Sequence, residues 1–156
     1  MTRDVLISIQ GLQFADSEVK NAASDEELDR IETICPGEYY YRNDAHFVLY
    51  EELIEDFPTP IQNMIKLRNK EFTLTKKGPV NVQMVFSEGK KTMTDYATPF
   101  GNILIALDTK EVGLEESSGS MKIHIAYGLE ANYQFIADCN ITVEIKSRVQ
   151  GYCIGS

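Results

Sequence analysis

Apolar and polar residues alternate with a period of two along most of this chain, and no other feature restricts its fold as strongly. Val80, Val82, Met84 and Phe86 share one parity, while Asn81, Gln83 and Ser87 share the other. Met121, Ile123, Ile125, Tyr127 and Leu129 alternate with Lys122, His124, Ala126 and Gly128; Ile141, Val143, Ile145 and Val149 alternate with Thr142, Glu144, Lys146 and Arg148. Successive side chains of an extended chain point to opposite faces, so the pattern predicts antiparallel strands with one face on a core and one in water.

Short turns separate the runs. Asn43-Asp44 divides Gly37–Arg42 from Ala45–Ile54, Asn69-Lys70 divides Met64–Arg68 from Glu71–Lys76, and Gly78-Pro79 and Ser87-Glu88-Gly89-Lys90 follow. Asn, Asp, Gly and Pro are the residues that tight turns select, and strands joined so briefly must be up-and-down neighbours. Thr98-Pro99-Phe100-Gly101 reads as a type I turn, with proline presetting φ at its second position. Phe14–Asp25 and Val112–Gly119 read as longer polar loops. The expectation is an all-β chain of about 8–10 strands closed into a single antiparallel barrel, one domain over residues 1–156, because closure removes the exposed edges of a long meander. One stretch conflicts with this. Ser24-Asp25-Glu26-Glu27 is a capping box, and Leu28, Ile31 and Cys35 then fall at helical spacing before Pro36-Gly37, so local signals favour a helix there, the alternative being a strand from Leu28 to Ile34 kinked at Pro36 and continued through Glu38 to Arg42.

With 156 residues the chain can bury about 68–70% of the surface of its unfolded form and needs no staples. Three widely spaced cysteines, Cys35, Cys139 and Cys153, fit reduced thiols better than a disulfide framework. Met1 to Asp4 lead at once into the alternating Val5–Ile9, with no secretory leader, and no run is apolar enough for a membrane span, so the expected compartment is the cytoplasm. A formal net charge of −9, from 15 basic and 24 acidic side chains, argues against nucleic acid as a partner. Gln62–Thr94 departs from this balance: Lys66, Arg68, Lys70, Lys76, Lys77, Lys90 and Lys91 oppose only Glu71 and Glu88, seven minus two giving +5 and leaving −14 for the rest.

Gly37-Glu38-Tyr39-Tyr40, Tyr50-Glu51-Glu52, Ile65-Lys66, Thr75-Lys76-Lys77-Gly78, Met84-Val85-Phe86, Tyr96-Ala97-Thr98-Pro99-Phe100-Gly101 and Tyr127 resemble, in that order, the YwiB-like family of uncharacterised small bacterial barrel proteins. The resemblance runs over nearly the whole chain and is most specific at Tyr-x-Thr-Pro-Phe-Gly. It implies a calycin-like, lipocalin-like barrel and a strand at Leu28–Ile34. It implies no activity, and a fold alone does not assign one.

Chemistry-bearing patterns are sparse. Glu51 and Glu52 are adjacent on a strand and point to opposite faces, so they form no cooperating carboxylate pair. Glu51 shares its parity with Phe47, Leu49 and Leu53, which would turn it inward, the alternative being a position open to water. His46 and His124 have no metal spacing or triad partners and read as solvent-facing. No catalytic residue, metal or cofactor is therefore expected. Tyrosines are the stronger signal: Tyr39 and Tyr41 share a face, and Tyr50 and Tyr96 lie on other strands, where they either line a pocket or fill the interior. Together with Glu51, Lys66, Arg68 and Phe100 they make the candidate ligand-binding set. Two functions follow: a non-catalytic barrel for a small amphipathic, anionic molecule entering near the basic hairpins between Met64 and Met93, or an interaction module acting as a homodimer. The first requires the basic side chains to gather on one side of the barrel.

Overall fold

The computed structural model describes residues 3–11, 32–53 and 57–148. Ten strands follow one another: β1 Asp4–Gln10, β2 Glu32–Arg42, β3 Ala45–Glu52, β4 Ile61–Arg68, β5 Glu71–Lys77, β6 Val82–Ser87, β7 Lys91–Thr98, β8 Gly101–Ser117, β9 Ser120–Ala131 and β10 Gln134–Ser147. They form one antiparallel sheet in the order β6-β5-β4-β3-β2-β1-β10-β9-β8-β7, an up-and-down meander in which β1 joins the two halves by pairing with both β2 and β10. No helix occurs among the described residues. The all-β, up-and-down expectation stands, and the barrel is nearly closed.

Closure between β6 and β7 rests on few bonds. Asn81 and Ala97 exchange backbone hydrogen bonds of 2.9 Å at one end of the seam, and at the other the Lys90 N–H donates to the Ser87 carbonyl at 2.9 Å. Six residue steps separate Asn81 from Ser87, but seven separate Lys90 from Ala97. One strand carries an extra residue, so no continuous ladder can hold register between these points. The Thr92 hydroxyl donates to the Val85 carbonyl within the gap and takes the place of a ladder bond.

The turns are as the sequence implied where their residues tolerate a left-handed backbone. Asn43 and Asp44 have φ of 53° and 63°, which a type I′ turn requires at both central positions. Asn132 and Tyr133, at 50° and 69°, form a further turn between β9 and β10 that composition does not announce, since tyrosine rarely accepts that conformation. Val112–Gly119 is not a loop: β8 runs through to Ser117, leaving only Ser118-Gly119 between Ser117 and its partner Ser120. The reason is a bulge at Lys110, between Thr109 and Glu111, which shifts the phase and returns Val112 to the buried side. The question of helix or strand from Asp25 lies mostly outside the described residues, as do Phe14–Asp25 and Val149. From Glu32 onward the chain is strand, and its pairing with β3 begins only at Gly37, one residue after Pro36, whose missing N–H could not serve that ladder.

Register sorts the inward side chains of β2 to β6 into rows. Tyr41, His46, Leu67, Phe72 and Phe86 make the uppermost row, Tyr39, Val48, Ile65, Leu74 and Met84 the next, and Gly37, Tyr50, Asn63, Lys76 and Val82 the one below. Opposite them β1, β9 and β10 contribute Val5, Ile7, Met121, Ile123, Ile125, Tyr127, Val143 and Ile145, all buried. Phe72, Phe86 and Tyr127 pack edge to face, with centroids 6.0 and 4.9 Å apart, and fill the interior there. The tight turns Asn43-Asp44, Asn69-Lys70, Ser87–Lys90 and Ser118-Gly119 rim one end, here the upper mouth. Gly78–Val80, Pro99-Phe100 and Asn132-Tyr133 lie at the other, the lower mouth.

Gly37 lets β1 and β3 close against the lower rows, because a Cβ there would meet Ile7 Cδ1 at 2.5 Å and the Leu49 carbonyl oxygen at 2.7 Å. Gly37→Ala should destabilise the fold by about 1–3 kcal/mol, as overpacking does. A denaturant midpoint unchanged from the parent would show that the strands can part without cost.

Candidate functional site

Two positions in the apolar parity of β4 and β5 are polar. Asn63 lies between Ile61 and Ile65, and Lys76 follows Phe72 and Leu74; each points inward, and they are direct cross-strand partners. Asn63 is 2% and Lys76 8% exposed. The Lys76 ammonium donates to Glu52 Oε1 and to Asn63 Oδ1, each at 2.9 Å. The Asn63 amide donates in turn to the Ile61 carbonyl at 3.3 Å and to Glu52 Oε1 at 3.4 Å. A buried charge is tolerated only when paired and hydrogen-bonded, and this trio meets that condition. An ammonium has three protons, and among the described residues two are used, so one remains for a further acceptor.

Tyr50 and Cys35 sit beside the trio. Burial, and then the Glu52 carboxylate, push the Tyr50 phenol well above its usual range, which keeps it a neutral hydroxyl. Burial and Glu52 likewise raise the Cys35 thiol, with Lys76 partly opposing them. Cys35 is thus held as a thiol, the opposite of an activated nucleophile. Near this mouth large apolar side chains stand in water: Leu53, Phe100 at 92% exposure, Tyr133 and Ile136, with Phe135 beside Gly128 on the outer face of β9.

The upper mouth carries a different set. Tyr39 Oη and His46 Nδ1 are 2.8 Å apart, and the Tyr41 and His46 rings meet edge to face at 4.9 Å. Burial first, then the Glu116 carboxylate and Tyr41, raise the Tyr39 phenol. His46 is therefore half-buried and inward, not the solvent-facing residue its place after a turn suggested. His124 is exposed, 3.4 Å from the Thr142 hydroxyl.

The candidate set read from the sequence is not brought together. Tyr39 and Tyr41 belong to the upper mouth, Tyr50 and Tyr96 are buried in the wall, and Phe100 tips the β7–β8 turn. Glu51 is exposed and accepts a 2.9 Å hydrogen bond from Gln62, so the inward glutamate is Glu52. Both parities of β3 are apolar, and the inner one is Val48 and Tyr50. Phe47 lies outside, stacked on Tyr40 at 5.3 Å with the Lys66 ammonium 5.8 Å above it. Lys66 and Arg68 thus face outward. The basic side chains do not gather: Lys76 is inside, Lys70 donates to the Val112 carbonyl at 3.2 Å, and Lys91 pairs with Glu130 at 2.8 Å on the far half of the sheet. Glu52, Asn63 and Lys76 were missed, although a polar residue in the apolar parity of two paired strands is a readable signal. Among the described residues no group of three or more His, Cys, Asp or Glu could hold a metal ion, and no helix is long and apolar enough to cross a membrane.

The family model described as a domain of unknown function, DUF1934, matches residues 17–143. The chain belongs to that family. The crystal structure of the ywiB protein from Bacillus subtilis superposes with a TM-score of 0.71 at 17% identity, over 94% of this chain and 93% of that one, a likeness of fold. No curated protein matches. The resemblance in the motifs and the match of folds agree, and neither indicates a catalytic family.

Lys76→Met alone should cost about 1–3 kcal/mol, since it strands the buried Asn63 carbonyl. Converting the whole trio, Lys76→Met with Glu52→Leu and Asn63→Leu, should restore stability to near the parent value, because apolar groups of similar size replace buried ion pairs without loss. Urea denaturation of the two variants checks both. A triple variant that stays as unstable as the single one would make the trio a requirement of the fold.

Proposed function

We propose that this barrel is a non-catalytic binding protein that takes up a small amphipathic molecule through the lower mouth, with the polar head on Lys76 and the tail along the apolar wall. The observation that carries this reading is an inward ammonium, fixed by Glu52 and Asn63, with one proton that no described residue accepts, in a wall of Ile61, Ile65, Leu74 and Val82 with Tyr50 and Cys35 beside it. Hydrophobic residues would line that wall as stably, so charge there favours recognition over architecture. The exposed apolar rim gives such a ligand a non-polar path to the mouth.

The head group follows from the charges. Glu52 already neutralises Lys76, so a ligand carboxylate would bring a second negative charge beside the first. A neutral acceptor such as an amide or ketone accepts the spare proton without that repulsion. This narrows the anionic expectation to an acceptor-headed ligand that need not be charged.

A second reading, a homodimer joined through the lower mouth, is favoured by the same exposed apolar side chains, Leu53, Phe100, Tyr133 and Ile136. Isothermal titration with decanamide and decanoate, alongside native mass spectrometry, separates the two. Decanamide should bind at least as well as decanoate, lose affinity about tenfold or more in the triple apolar variant, and be indifferent to Lys66→Glu and Arg68→Glu, as the loss of a charge-assisted hydrogen bond implies. A dimer that binds neither probe would replace this reading with the second.

A further inference from the structure

We infer that the upper mouth is a second binding site, selective for a small alkylated ammonium group, formed by Tyr39, Tyr41, His46 and Glu116. The inference does not depend on the lower mouth, since Tyr41 and His46 lie in the uppermost row and Tyr39 in the next, whereas Asn63 and Lys76 lie in the row below both.

Register brings these four residues together. Tyr39 and Tyr41 alternate on the inner face of β2, and His46 is the direct partner of Tyr41 on β3. Their rings form a continuous group: Tyr41 meets His46 at 4.9 Å and 61°, and Tyr39 meets it at 5.9 Å and 31°. The 2.8 Å contact between Tyr39 Oη and His46 Nδ1 fixes both rings, so an incoming group meets a surface already set in place. Glu116 comes from the opposite half of the sheet. It pairs with Met121, and Leu114 pairs with Ile123; both partners are buried, so Leu114 and Glu116 share the inner face of β8. Leu114 is nevertheless 39% exposed, so the mouth is open to water on the side from which Glu116 reaches in. Its charge is felt by Tyr39 across that opening.

Aromatic faces carry negative potential at their centres and attract cations, and alkylammonium groups are bound well because they are weakly hydrated. A carboxylate at the rim adds attraction, and so does the net charge of −9. An anion would meet Glu116 and three negative ring faces. Two arginines adjoin the site: Arg3, whose carbonyl accepts from the Tyr39 N–H at 2.7 Å, has its guanidinium 3.8 Å from the Glu38 carboxylate, and Arg42 lies over the outward Tyr40 ring at 5.3 Å. Lys70 stands at the neighbouring turn. Its ammonium is engaged with the Val112 carbonyl, and Glu88 accepts from the Val112 N–H at 2.9 Å, so the two charges meet on one residue and offset each other.

Titration of the full chain with choline, and separately with its neutral isostere 3,3-dimethyl-1-butanol, followed by the ring resonances of Tyr39, Tyr41 and His46, tests the site. Choline should saturate in the millimolar range and bind at least about fivefold more tightly than the isostere. Tyr41→Ala and Glu116→Gln, both at exposed positions that leave the core intact, should each weaken choline by several-fold and leave the isostere unchanged. Sedimentation with phosphatidylcholine vesicles distinguishes the source of the group: co-sedimentation places it on a lipid headgroup, and free choline binding without it places it on a soluble molecule. Equal affinity for choline and the isostere, shifts that never saturate, or unaltered binding in both variants would overturn the inference.

Discussion

A strand has two faces, and in a barrel one of them has no water, so the parity of each strand fixes the chemistry of every residue on it. In this chain register then extends that choice across the sheet. Once Val48 is inside, its partner Ile65 is inside, and so are Leu74 and Met84 beyond it. A slip of one residue would put Glu51, Gln62 and Lys77 into the core and Tyr50 into water. The polar trio and the aromatic group at the upper mouth are both consequences of that constraint. They are places where the inward parity delivers polar groups, as it also does at Thr109, buried opposite Tyr127 on β9.

Electrostatics explains why the charged side chains among them, Lys76, Glu52 and Glu116, lie toward the mouths. An ammonium deep in the barrel would lose its hydration with nothing to replace it, a cost of several kcal/mol. Lys76 avoids this because Glu52, at the end of β3, remains partly hydrated while it holds the ion pair. Asn63 completes the arrangement by donating to a backbone carbonyl and accepting from the lysine. At the other end His46 is satisfied by Tyr39. The seam between β6 and β7 is the weakest part of the wall, yet its lower end is held by the reciprocal bonds of Asn81 and Ala97, with the Gly78–Asn81 turn bonded through the Asn81 side chain at 2.9 and 3.3 Å.

Much of the fold could be read from the sequence. The parities of β6, β9 and β10 were unambiguous because each strand has one apolar and one polar face, and Asn43-Asp44 and Asn69-Lys70 announced their turns. The parity of β3 was not legible, because Phe47 and Leu49 are as apolar as Val48 and Tyr50; only the register against β4 decides between them. β8 is illegible past Val112 for a related reason, since a bulge of one residue inverts the pattern without leaving a compositional mark. The site suffered more than the fold. The ambiguous parity of β3 makes Glu51 and Glu52 interchangeable in the sequence, and Lys66, Arg68 and Lys76, close in sequence, lie on opposite sides of the wall.

The central claim is that Lys76 presents a fixed, water-shielded proton to a ligand inside the barrel. Proton–nitrogen spectra of the lysine ammonium groups observe that proton directly, because exposed ammonium protons exchange with water too fast to be seen at neutral pH, whereas buried, hydrogen-bonded ones persist. The account predicts one persistent ammonium signal, lost in Lys76→Met and shifted by decanamide. Its absence, or a signal that decanamide leaves in place while binding elsewhere, would contradict the claim.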